Sequence, residues 1–153
     1  MCPSLQQTET LVREKFAGQT DRRGDPLFNH ITRVVGYLEG EDEHTLHAAW
    51  LHDIVEDTDV TVPDLIEMGY SEEVVDAVTL LTHNKKAEPY ADYIDRICQS
   101  GNLRAIKVKL ADQQDNLDPR RWLGLNRFVQ NALRKRYAGV KDKLMEAAIN
   151  ATV

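Results

Sequence analysis

The segment Leu51-His52-Asp53-Ile54-Val55-Glu56-Asp57-Thr58 puts four ionisable side chains at the end of a stretch whose preceding positions include the apolar Leu46, Ala48, Ala49, Trp50 and Leu51. On a helix, Glu56 stands one turn beyond His52 and Asp57 one turn beyond Asp53, so each pair shares a face. Neighbouring residues project about 100° apart, yet both His52 and Asp53 can reach an ion lying against the helix flank between them. Other segments must complete the shell around such an ion. His30 lies at the start of an earlier amphipathic stretch, and Asp112 follows the largely apolar run Ala105-Ile106-Lys107-Val108-Lys109-Leu110-Ala111, where an unpaired carboxylate is costly to bury. A cation resolves that cost.

Two imidazoles and two carboxylates form a nitrogen and oxygen donor set suited to Mn²⁺, Fe²⁺, Co²⁺ or Zn²⁺, and less to Mg²⁺ or Ca²⁺. An ion held in this way with open positions can acidify a bound water and polarise a phosphoryl oxygen, which is hydrolytic chemistry. Glu56 and Asp57 oppose the helix dipole at a helix C-terminus, a mismatch of a few tenths to about one kcal/mol that favours a functional reason for them. His44, His47 and His83 read as surface or packing residues, Tyr90 and Tyr93 as packing residues, and Lys85-Lys86 and Arg134-Lys135-Arg136 as solvated charges. The first lysine pair could reach a substrate from a loop, and Lys107 and Lys109 are open to either reading.

The elements that must position these groups are helical. Apolar residues recur at three- and four-residue steps between sparse prolines and glycines, and no segment alternates as a strand would. The expected helices cover about 5–17, 28–39, 43–56, 62–69, 72–82, 90–99, 102–117 and 125–149. Thr61 can cap the helix after it, with Pro63 in the first turn and Gly69 at its end, and Ser71 can cap the next. Leu125, Phe128, Val129, Leu133, Tyr137, Val140 and Leu144 make an apolar stripe expected to pack the last helix across the bundle. No repeat or low-complexity linker divides the chain, so residues 1–153 are expected to form one all-α domain of about eight helices.

Composition narrows the partners. The formal charge of −6 disfavours adhesion to nucleic acid polymers, whose binding draws on Lys and Arg neutralising phosphates, whereas a small anion can still be received by a local cation. No apolar run approaches the roughly 20 residues of a membrane span, and the N-terminus lacks a basic and apolar leader, so a cytoplasmic location without membrane contact is expected. Cys2 and Cys98 form no paired motif and read as reduced and incidental.

Over roughly residues 16–140 the chain resembles HD-superfamily phosphohydrolases, and within them the hydrolase domain of RelA/SpoT-type guanosine tetraphosphate enzymes and their small stand-alone relatives. Three blocks carry the resemblance: Ala17-Gly18-Gln19 through Arg22, Gly24, Pro26 and His30; His52-Asp53-Ile54-Val55-Glu56-Asp57-Thr58; and Lys109-Leu110-Ala111-Asp112-Gln113-Gln114-Asp115-Asn116-Leu117. The resemblance implies one ion, usually Mn²⁺, on His30, His52, Asp53 and Asp112, with Glu56 and Asp57 as the hydrolytic pair. Glu56 would orient or deprotonate the attacking water and Asp57 assist. Asn116, one turn after Asp112, would face the same cavity and contact the nucleotide, and Arg22 would meet phosphate. Two positions depart from the family: Asp21 stands where a basic residue is expected, and Leu27 where tyrosine is common.

The expected activity is hydrolysis of a small nucleotide, first candidate guanosine 3′,5′-bispyrophosphate (ppGpp), with loss of its 3′-pyrophosphate. No synthetase domain fits in the remaining chain, so such a role would be degradative. The alternatives are an HD-type nucleotidase or other nucleotide phosphohydrolase, and a noncatalytic nucleotide sensor. Oligomeric state has no signature in the sequence.

Overall fold

In the computed structural model, which describes residues 1–152, side-chain caps set most helix starts. Ser4 and Gln7 form a reciprocal capping box at α1 (Leu5–Lys15), and Asp42 accepts from the Thr45 amide at the start of α3 (Glu43–Leu51). Thr61 and Asp64 form a second box at α5 (Val62–Glu67), and Ser71 caps α6 (Glu72–Leu81), as their residue types suggest. Between these lie α2 (Leu27–Tyr37) and the single turn α4 (Ile54–Asp57). The chain continues through α7 (Tyr90–Gln99), α8 (Leu103–Asn116), a 3₁₀ turn (Pro119–Trp122), α9 (Arg127–Tyr137) and α10 (Val140–Thr152). One isolated backbone bridge, Thr20 to Pro26, closes the loop between α1 and α2, and no strand is present among the described residues.

Helix α3 is the axis of the bundle. Six of its nine residues are buried, and it packs against α1, α2, α6 and α8. Helix α8 in turn contacts α2, α3, α6 and α10, so α2, α3 and α8 meet in the interior. A helix apolar on most sides is stable only when neighbours cover it. Phe16, Ile31, Leu51, Ile54 and Ile106, each 2% exposed or less, belong to the one apolar core that does so. No helix among the described residues is long and apolar enough to cross a membrane.

Two expected helices prove to be broken. The 43–56 stretch stops at Leu51 and restarts at Ile54, with His52 still helical (φ −58, ψ −29) and Asp53 flattened (φ −106, ψ 0). The 125–149 stretch divides at Ala138-Gly139, where Gly139 takes φ +74, a value that only glycine adopts readily. The apolar stripe divides with it. Val140 and Leu144 are buried, whereas α9 contains no buried residue, and Phe128 is 83% exposed. Thus α10 alone packs across the bundle, on α7 and α8. The periodicity of Leu125, Phe128, Val129 and Leu133 is real, but Leu125, Val129 and Leu133 are only half-buried and Phe128 stays in solvent.

Candidate functional site

His30 comes from α2, His52 and Asp53 from the break between α3 and α4, and Asp112 from α8. One donor atom from each lies within 4.8 Å of all the others. The break matters because adjacent residues of an unbroken helix diverge by about 100°. Here His52 Nε2 lies 3.1 Å from Asp53 Oδ2 and 3.4 Å from Asp112 Oδ1.

The imidazole environments suit a cation. His52 Nδ1 donates to the Ala49 carbonyl (2.7 Å), which leaves Nε2 facing the carboxylates, buried and without a hydrogen-bond partner. His30 Nδ1 donates to Asp115 Oδ2 (2.6 Å), and its Nε2 lies 2.9 Å from Asp112 Oδ1. In both rings one nitrogen is tied down and the other aims at the same point, the arrangement by which outer partners orient metal-binding histidines. Burial by itself pushes both imidazoles down, but Asp53 and Asp112 hold His52 well above its ordinary pKa, and Asp112 and Asp115 raise that of His30. A cation at Nε2 takes the place of those protons. The two nitrogens and two carboxylates therefore fit a divalent transition metal.

Asp115 was named in the sequence only as part of a block, yet the structure gives it a central place. It is fully buried, and besides His30 it meets Arg33 Nε at 2.7 Å, Arg121 Nη1 at 3.3 Å and the Tyr37 hydroxyl at 3.3 Å. Burial opposes its ionisation, but the His30 and Arg33 hydrogen bonds hold its carboxyl far below the usual range. Its position one turn after Asp112 in α8 was the available signal; its partners lie up to 85 residues away.

The ligand cluster opens into a cavity of about 170 Å³ lined by Glu56, Asp57, His83, Lys85, Tyr90 and Asn116 among others. Glu56 Oε1 accepts from the His83 amide (2.9 Å), and Oε2 pairs with Lys85 (3.1 Å). His83 is a buried packing residue, stacked on Tyr93 at 4.6 Å, but its backbone also orients Glu56. Lys109 is buried and bonded to Asp112 Oδ2 (2.7 Å), whereas Lys107 makes an outer pair with Glu41 (2.8 Å). Asp57 is the carboxyl most ready to hold a proton. Burial, together with the Asp53 and Glu56 charges, pushes its pKa up to about 6.

A second cleft of about 400 Å³ adjoins the first, sharing Leu27, Asn116, Arg121 and Tyr137 with it. Arg22 and Arg23 line this outer cleft and not the inner cavity, which His30, Asp53 and Asp112 line. Asn116 Oδ1 accepts from Arg121 Nη1 (2.8 Å). Asp21 does not present a bare charge here. Its carboxylate accepts from the amides of Arg23 (2.8 Å) and Asp25 (3.0 Å), lies 3.5 Å from Arg121, and is 10% exposed. The loop is also tied to α4 through Gln19 Nε2, which donates to the Asp57 carbonyl at 3.0 Å.

No protein-family model matches the chain. Over 126 residues it is 36% identical to guanosine-3′,5′-bis(diphosphate) 3′-pyrophosphohydrolase MESH1 of Drosophila melanogaster, a match covering 75% of this chain and 69% of that protein. Over 125 residues it is 35% identical to a guanosine-3′,5′-bis(diphosphate) 3′-pyrophosphohydrolase of Vibrio cholerae, covering 74% of this chain but only 17% of that relative. A solved structure of a metazoan ortholog of SpoT that hydrolyzes ppGpp superposes with a TM-score of 0.72 at 27% identity, covering 98% of this chain and 97% of the other. By its helical architecture and by this similarity, the chain belongs to the HD-type, RelA/SpoT-like family of guanosine-3′,5′-bis(diphosphate) 3′-pyrophosphohydrolases.

Proposed function

We propose that the protein is a metal-dependent hydrolase that removes the 3′-pyrophosphate of guanosine 3′,5′-bispyrophosphate, and that residues 1–153 form the single domain carrying this activity. The observation that carries the reading is the convergence of His30, His52, Asp53 and Asp112 beside Glu56 and Asp57, at a cavity that adjoins a cleft lined by Arg22, Arg23 and Arg121. The names of MESH1 and the Vibrio cholerae relative supply the substrate.

In this reading the four clustered residues hold one Mn²⁺. When bound, such an ion would supply Lewis-acid chemistry at a water and at a phosphoryl oxygen. Glu56, oriented by the His83 amide, takes a proton from the attacking water. Oxygen from that water bonds to the phosphorus next to the ribose, the bond from that phosphorus to the 3′ oxygen breaks, and the departing 3′ oxygen takes a proton. Asp57, with its raised pKa, is placed to supply it. Asn116 and Arg121 stand where the nucleotide passes from the inner to the outer cleft, and Arg22 meets its 5′ phosphates. The products are guanosine 5′-diphosphate and pyrophosphate.

The test is chromatography of products after incubating the Mn²⁺-loaded protein with a nucleotide panel. Guanosine 5′-diphosphate and pyrophosphate from guanosine 3′,5′-bispyrophosphate support the assignment. Orthophosphate from ordinary mononucleotides makes the protein a nucleotidase, and tight nucleotide binding without turnover on any of Mn²⁺, Fe²⁺, Co²⁺ or Zn²⁺ makes it a sensor.

A further inference from the structure

The inner cavity is lined by four carboxylates, Asp53, Glu56, Asp57 and Asp112, and by four cations, Lys85, Lys109, Arg121 and Arg136. Three of the cations are already committed. Lys109 pairs with Asp112 at 2.7 Å, Lys85 with Glu56 at 3.1 Å, and Arg121 with Asp115 at 3.3 Å and Asp21 at 3.5 Å. Arg136 differs: among the ion pairs and side-chain hydrogen bonds of the described residues it has none. Its guanidinium is instead held by aromatic faces, 4.5 Å over the Tyr90 ring and 5.8 Å from the Tyr137 ring. Such contacts orient a guanidinium without neutralising it, so its N–H fork remains free for a planar or tetrahedral oxyanion. Arg136 is solvent-exposed, as its reading among solvated charges expected, and it also lines the inner cavity.

Location sorts the cations by the phosphates they can reach. Arg22 and Arg23 line only the outer cleft, Arg136 lines only the inner one, and Arg121 lines both. A divalent ion added to four carboxylates and four cations leaves the inner cavity net positive, which suits a group carrying more negative charge than a single phosphate. Resting on the function proposed above, we propose that Arg136 binds the distal phosphate of the diphosphate being removed, and so makes the site prefer a diphosphate to a monophosphate at that position.

The test uses the full chain with saturating Mn²⁺. Binding of inorganic pyrophosphate and of orthophosphate is measured by calorimetry for the wild type, Arg136→Gln and Arg136→Lys. The expected result is pyrophosphate binding weakened about tenfold to a hundredfold in R136Q, orthophosphate binding changed less than threefold, partial recovery in R136K, and unchanged melting temperature and metal content. Equal weakening of both anions, unaltered pyrophosphate binding, or no pyrophosphate binding by the wild type overturns the proposal. Turnover separates it from the reading beneath it. A wild type that hydrolyses no nucleotide yet shows the Arg136-dependent preference retains the binding role and loses the enzymatic one. A wild type that releases pyrophosphate with no such dependence does the reverse.

Discussion

The inner cavity and the outer cleft share Asn116 and Arg121 but are built in opposite ways. Around the inner cavity, His30, His52 and Asp112 are each 4% exposed or less, and α2, α3 and α8, which supply them, pack directly on one another. The outer cleft is walled by the loop after α1, the 3₁₀ turn and α9, where the turn and α9 contain no buried residue and Leu123 and Phe128 are 63% and 83% exposed. The difference teaches that the metal-cluster residues His30, His52 and Asp112 are held by the core itself, whereas Arg22, Arg23 and Arg136 sit on elements with little packing to lose, and Asn116 on α8 stands between the two. Positions of the first kind need precise placement by their surroundings. Elements of the second kind can change with little cost to the fold.

The sharpest probe of the inner cavity is Glu56→Gln, which keeps size and the His83 hydrogen bond but removes the base. Turnover is expected to fall about 10²- to 10⁴-fold with bound Mn²⁺ unchanged by elemental analysis. Near-normal turnover removes Glu56 from the mechanism.

The packing contrast is tested by Lys109→Met against Phe128→Ser. Losing the buried ammonium leaves Asp112 with less compensation and is expected to destabilise the metal-free protein by about 3–5 kcal/mol. The Phe128 change should lie within about 0.5 kcal/mol. Urea denaturation of both variants decides it, and equal costs would erase the distinction between the two regions.

A smaller effect concerns pH. Because the Asp57 pKa is raised to about 6 in the folded protein, above the ordinary value of about 4, the native state holds this proton more tightly than the unfolded chain. Its contribution is fully present below about pH 4 and is lost as pH rises through about 6. Asp57 is only partly buried, so solvent screening reduces the loss to the order of 1 kcal/mol. Asp57→Asn should therefore raise the melting temperature of the metal-free protein at pH 7.5 and leave it unchanged at pH 4. Parallel melting profiles across that range would mean that Asp57 feels an ordinary environment.

Much of the fold was legible in local chemistry. The caps Thr61 and Ser71, the helical spacing, and the residue types of His30, His52, Asp53 and Asp112 all stand in short stretches, and the structure draws those four together. The break at Leu51–Ile54 was not legible, because no glycine or proline marks it; the break after α9 carried a local signal in Gly139, but the apolar periodicity running through it masked that signal. The gathering of His30 and Asp112 could be read only through family resemblance, since spacing alone relates residues within a turn or two.

What the sequence by itself determined was therefore the helical class, the donor types and the family. Tertiary structure alone decided that Asp115 orients His30, that the His83 amide holds Glu56, that Arg121 joins two clefts, and that Arg136 faces the inner one unpaired. The physical reason is that helix formation is governed by neighbours three and four residues away, whereas buried polar groups choose partners by proximity in space, here across as many as 85 residues of chain.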